Sequence, residues 1–268
     1  MASLASSLLF SPVLFTSWSE FKLIPPVVWG MILITGLVQA VYYIFLAAAY
    51  RSGDLSHIYP MARSLPVVFV ALISVFLGRG DQVQPLAYLG FVLVTLGCIL
   101  LPMPKFTELH PRHYWHKWVL FALLAAVCIT AYTLIDDQSL RILRSLPASS
   151  MTNLTWSLLY VELEAVSITI FMFILILAWR PEREGFLHAQ GKDWRTAFIM
   201  GFIITATYSL VLLAMAYVSN VSYVIAFRQL SIPIGALLGL LAGREKAGLP
   251  KLIGIAIIFL GLLLVSLG

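Results

Sequence analysis

Two glutamates, Glu162 and Glu164, lie inside NLTWSLLYVELEAVSITIFMFILILAW, a stretch with no other charge. A carboxyl group so far from polar neighbours pairs with a cation, keeps a proton or meets a polar solute. Residues two apart on a helix point about 200° apart. The two acids therefore face opposite ways, and the sequence leaves open which faces inward. Two arginines share the predicament. Arg63 stands about two turns inside the apolar run that follows AAYRSGDLSHIYPMARSLP, and Arg228 stands in NVSYVIAFRQLSIP. A central arginine costs about 2.5–3.5 kcal/mol to insert, so each faces a polar cavity or partner, or snorkels to the interface. The glutamates could serve as counter-ions for Arg63 or Arg228, or as proton sites. Among the aromatic residues within apolar runs, Tyr42, Tyr43, Tyr160, Tyr208 and Tyr223 read equally well as interfacial anchors. Tyr59, Tyr132 and Trp156 complete the candidate substrate-binding set of Arg63, Arg228, Glu162 and Glu164. Asp136 and Asp137 close an apolar run and are expected at the interface.

Other chemistry finds little support. There is no Gly-x4-Gly-Lys-[Ser/Thr] loop for a nucleotide. His110, His113 and His116 form an H-x2-H-x2-H run, but no cysteine or carboxylate set accompanies them, and interfacial charge explains them. Cys98 and Cys128 fall in separate apolar runs and read as small buried hydrophobes. No nucleophile–base pair stands out. The expectation is no enzyme, no catalytic residue, no metal and no cofactor.

The elements that position these residues follow from composition. Of 268 residues, 61% are hydrophobic and 11% charged, whereas soluble domains carry about 25% charged residues. A bilayer core about 30 Å thick needs roughly 20 apolar residues per helical span. Nine such segments are expected, near 2–17, 26–50, 56–78, 84–102, 116–137, 150–179, 195–218, 221–242 and 249–267. Nothing alternates as a membrane β-barrel would. The class is an all-α polytopic membrane protein. The net charge of +5 sits almost entirely in the loops, where the positive-inside effect accounts for it without nucleic acid.

The chain repeats itself. LAAAYRSGDLSHIYPMARSLP (46–66) matches LAMAYVSNVSYVIAFRQLSIP (213–233), with Tyr50 on Tyr217, Ser52 on Ser219 and Pro66 on Pro233. After a shift of two or three residues, Gly78-Arg79 falls on Gly243-Arg244. Pro85, Gly90 and Gly97 fall on Pro250, Gly254 and Gly261. Glycines seven apart share a helix face and favour close packing in lipid. Paired interruptions near Arg63-Pro66 and Arg228-Pro233 are where transporters of repeated architecture bind solute. The seam falls in PMPKFTELHPRHYWHK, giving a first repeat over 1–104 with four spans and a second over 105–268 with five. The first repeat lacks its first span by alignment, so either the chain has nine spans or its start falls inside a longer protein.

The stretch GDLS-x-x-YP-x-AR, the span after it, GRGDQVQPLAYLGFVLVTLGCILL and the degenerate second copy resemble the EamA-type branch of the drug/metabolite transporter superfamily. The resemblance covers nearly the whole chain. It implies a ten-helix fold of two inverted five-helix repeats, here without the first helix. It also implies a multi-pass protein of the inner (plasma) membrane that moves a small metabolite or amino-acid-like solute, often outward, by alternating access, with proton or exchange coupling. Small multidrug relatives use a glutamate in the first span of each unit; WVLFALLAAVCITAYTLI has none. Loop cations favour an outside C-terminus, whereas family precedent has it inside. A non-transporting membrane partner subunit and a flippase for a lipid-linked substrate are the alternative readings. Solute identity and oligomeric state do not follow from the sequence.

Overall fold

Apolar chain in lipid must satisfy its own backbone polar groups, and helices do so segment by segment. The computed structural model describes residues 2–52, 55–101, 103, 117–147, 149–179, 183–184, 194–241 and 248–268, and no strand occurs among them. Among these described residues ten α-helices carry the fold. They are α1 (Ala2–Thr16), α2 (Pro26–Ser52), α3 (Leu55–Phe76), α4 (Pro85–Leu100), α5 (Lys117–Arg144), α6 (Asn153–Ala178), α7 (Trp194–Ala214), α8 (Val221–Arg228), α9 (Ser231–Leu241) and α10 (Leu249–Leu267). Six stretches are long and apolar enough to cross a bilayer, counting α8 and α9 as the single stretch Val221–Leu241. Ser3–Thr16, Pro60–Phe76 and Pro85–Leu100 are shorter apolar helices. The protein is thus a polytopic helical membrane protein.

Local chemistry sets the ends. Proline opens α4 and α10 in the first turn, where its missing N–H costs nothing. Thr152 caps α6 by accepting the Thr155 amide at 3.2 Å, and Asn220 caps α8 by accepting the Ser222 amide at 3.0 Å. After α3, Gly78 adopts φ +72°. The Arg79 amide reaches the Ser74 carbonyl at 2.8 Å, and the Gly78 amide reaches the Val75 carbonyl at 3.0 Å. That is a Schellman stop, which favours glycine at the left-handed position.

Two sequence expectations change. The run expected at 116–137 continues as helix to Arg144, about two turns further. The paired interruptions are not alike: α3 runs unbroken through Pro60 and Pro66, whereas Val221–Leu241 breaks into α8 and α9 at Gln229-Leu230. At that break the Gln229 Nε2 amide donates to the carbonyls of Arg63 (3.0 Å) and Ile225 (3.1 Å).

The chain forms two compact units, 1–40 with 131–217, and 41–130 with 218–268. Each takes helices from both sequence halves, and α2 and α5 run from one unit into the other. In the first unit α1 packs against α6 and α7. Ser6 and Thr205 join their hydroxyls there, and the Phe10 and Phe202 rings stack at 6.0 Å. Arg144 ties α5 to both neighbours through Ser157 Oγ (2.9 Å) and the Leu212 carbonyl (2.8 Å).

In the second unit the tightest contact is α4 on α10. A Cβ on Gly90 would lie 2.6 Å from the Gly261 carbonyl oxygen, and one on Gly97 would lie 2.8 Å from that of Gly254. Gly254 and Gly261 meet Gly97 and Gly90 in the same way, at 2.9 and 2.8 Å. Each glycine also faces the amide of the residue four positions beyond its partner: Val265, Ile258, Leu101 and Val94. The pair is antiparallel and symmetric under exchange of the two helices. Glycines seven apart do form the packing face that their spacing indicates.

Candidate functional site

The first unit gathers an unusual density of polar side chains where four helices supply them. Gly36 makes this possible: a Cβ there would overlap the Ser167 side chain, so only glycine lets α2 come this close to α6. One residue before it, Thr35 Oγ1 donates to Asp136 Oδ1 at 2.8 Å and lies 3.4 Å from Glu164 Oε1. One turn on, Gln39 Nε2 donates to Glu164 Oε1. From α6, Tyr160 Oη donates to Asp136 Oδ1 at 2.9 Å, and from α7, Tyr208 Oη donates to Asp136 Oδ2 at 2.6 Å. Asp136, Tyr160 and Thr35 have no exposed surface, and Glu164 and Gln39 are 1% and 8% exposed.

Asp136 and Asp137 are therefore not interfacial, contrary to the sequence expectation. The helix continues past them, so Asp136 points among three hydroxyls while Asp137 accepts from Arg141 Nε at 2.8 Å one turn later. The donors to Asp136 come from positions 24, 72 and 101 residues away. No local pattern marks them. Gln39 was findable, because an amide within GLVQAVYYIF is costly to bury without a partner; the sequence reading passed over it and over Thr35.

The seven sequence candidates divide between the units. Glu162, Glu164, Tyr132 and Trp156 belong to the first. The two glutamates do differ in facing: Glu164 enters the network, while Glu162, fully buried, has no hydrogen-bond partner at either oxygen. The hydrogen bonds that Glu164 accepts come from neutral groups of its own unit, Thr35 and Gln39. Tyr132 is 6% exposed and meets the Tyr208 ring edge-on at 6.2 Å. Trp156 is 1% exposed, one turn before Tyr160 on α6.

Arg63 and Arg228 belong to the second unit. Arg63 is half-buried on α3, within electrostatic reach of Cys98. Arg228 is half-buried in the last turn of α8, just before the break. The side chain of Tyr59, like the whole of His110, His113 and His116, lies outside the described residues. Cys98 is buried and Cys128 half-buried, both as free thiols. Among the described residues no cluster of histidine, cysteine and carboxylate side chains could hold a metal ion.

Comparison with known proteins adds family and fold. The model of the EamA-like transporter family matches residues 116–267. A crystal structure of a protein 16% identical superposes with a TM-score of 0.60, covering 99% of this chain and 98% of that one. That likeness concerns the fold alone. No curated protein matches the sequence.

Proposed function

The chain belongs to the EamA-like transporter family, and from that premise we propose a secondary transporter that exports a small organic metabolite or amino-acid-like solute by alternating access. It works as a multi-pass protein of the inner (plasma) membrane. The observation that carries this reading is the α4–α10 pair. Equivalent glycines, Gly90 with Gly254 and Gly97 with Gly261, occupy equivalent positions in an antiparallel contact. Two oppositely directed copies of one unit would produce that symmetry, and such repeats are the machinery of alternating access. The contact supports a first repeat over 1–104 and a second over 105–268, with nine spans in all.

Arg63, Arg228, Glu162, Glu164, Tyr59, Tyr132 and Trp156 are the proposed solute contacts. Within that set Arg63 and Arg228 are half-buried cations that would take a carboxylate or another anionic group. Glu162 would take an amine, because its two oxygens accept nothing from the protein.

Flux through vesicles reconstituted with the purified chain tests the proposal. Wild-type protein should carry at least one member of a panel of amino acids and small organic acids. Arg63→Ala should lower its apparent affinity about tenfold to a hundredfold, the worth of one hydrogen bond to a charged group. Flux of a carried solute that is indifferent to Arg63→Ala removes Arg63 from the site. A panel wholly excluded by the wild type defeats the transport reading for those solutes.

A further inference from the structure

The network around Asp136 is more than a way of burying an acid. Thr35 Oγ1 lies 2.8 Å from Asp136 Oδ1 and 3.4 Å from Glu164 Oε1, so the two buried carboxyl groups flank one hydroxyl, and acids this close with no cation between them favour keeping a proton on the pair. Every donor to the pair is neutral: the hydroxyls of Thr35, Tyr160 and Tyr208 and the amide of Gln39. Both oxygens of Asp136 are occupied. Glu164 is not so complete, because its Oε2 is buried and has no partner. The pair thus keeps one vacant acceptor inside an otherwise satisfied network.

What ligand fits such a place? A metal ion wants oxygen lone pairs converging on it, whereas here hydroxyl and amide hydrogens point at the carboxyls. On its Asp136 side the pair has no room for a solute, because Thr35, Asp136 and Tyr160 are wholly enclosed; solute contact is left to Glu164. A proton needs neither. The surrounding elements bring no compensating charge. α1 carries no titratable residue, and α2 presents only Thr35 and Gln39. α7 presents Tyr208. On α5 the neighbouring Asp137 is engaged by Arg141, and on α6 Glu162 faces the other way. Tyr208 is the member of the network that is only half-buried, and its Oη donates to Asp136 Oδ2 at 2.6 Å.

We infer that Asp136 and Glu164 share one exchangeable proton, loaded and released through Tyr208, and that this proton is exchanged for the solute. The last clause rests on the transport reading; the bound proton does not. In loading, Tyr208 Oη passes its proton to Asp136 Oδ2 and takes one from a hydronium ion, which leaves as water, so the phenol ends neutral and the pair gains one proton. Release is the same hop reversed.

Infrared difference spectra of the purified full-length protein, taken across a pH titration and repeated in D2O, test the site. The wild type should show a titrating protonated-carboxyl band that shifts in D2O. Asp136→Asn and Glu164→Gln should each displace or abolish that same band, since either removes one acid of the pair. A band left unaltered by both variants, or altered by only one, overturns the pair. Tyr208→Phe should retain the band and slow its response to a pH jump; an unchanged response overturns the route. A pH dye trapped inside vesicles then tests the coupling. Adding a carried solute should shift the internal pH with the wild type and not with Asp136→Asn, and equal shifts overturn the exchange. A wild type that carries nothing defeats the transport reading and the coupling with it, while the spectra still decide the bound proton.

Discussion

The α4–α10 contact and the network between α2, α5, α6 and α7 solve opposite problems. In the first, side chains are removed so that two backbones can touch, and each glycine meets a carbonyl and an amide that cannot retreat. In the second, polar side chains are brought into the interior of the first unit and bonded to one another, while both oxygens of Glu162 and one of Glu164 accept nothing. Packing accounts for every feature of the glycine contact. It does not account for an acid with no partner, which a membrane helix retains only at a cost. The contact reads as scaffold and the network as working part.

Substitution can break that contrast at either end. The largest effect is expected from Gly97→Leu. Its Cβ alone would come within 2.8 Å of a carbonyl oxygen, and overpacking against backbone costs about 1–3 kcal/mol or more. Thermal unfolding in detergent should show severe loss of folded protein; a variant melting like the wild type would mean that the helices do not approach this closely. Asp136→Ala follows, because it strands the hydroxyls of Thr35, Tyr160 and Tyr208. Each buried donor left unsatisfied costs about 1–3 kcal/mol, so the melting temperature should fall clearly. Tyr208→Phe keeps the ring and removes the hydroxyl bond to Asp136 Oδ2, and should cost about 0.5–1.5 kcal/mol; a loss as large as that of Asp136→Ala would mean that this one hydroxyl holds the network together. At the bottom of the scale, Gly30→Ala meets nothing within 4 Å and should alter stability by no more than about 0.5 kcal/mol.

The same contrast explains what the sequence disclosed. Glycines seven apart in two matching runs are a local pattern with one packing consequence, so the α4–α10 face was readable before the fold. The helical, membrane-crossing class was readable too, because apolar length marks it, although α5 runs about two turns past its expected end. The network was not. Asp136-Asp137-Gln138 looks like a span end, since three polar residues in a row ordinarily reach water. What holds Asp136 inside is a set of donors from α2, α6 and α7, far off in the chain. Glu162 and Glu164 were conspicuous for being charged among apolar residues, but their differing partners depend on which helices lie on either side of α6. The break after Arg228 was anticipated from Pro233, while Pro66, the matching proline, leaves α3 intact.

Glu162→Leu separates a group kept for transport from one kept for the fold, if melting temperature and solute flux are measured on the same preparation. Both oxygens are buried without a partner, and exchanging such a group for an apolar one of similar volume is neutral or stabilising by about 1–4 kcal/mol. The prediction is a melting temperature equal to or above the wild type together with reduced flux. A lowered melting temperature, or undiminished flux, would contradict the assignment of this acid to the working part of the protein.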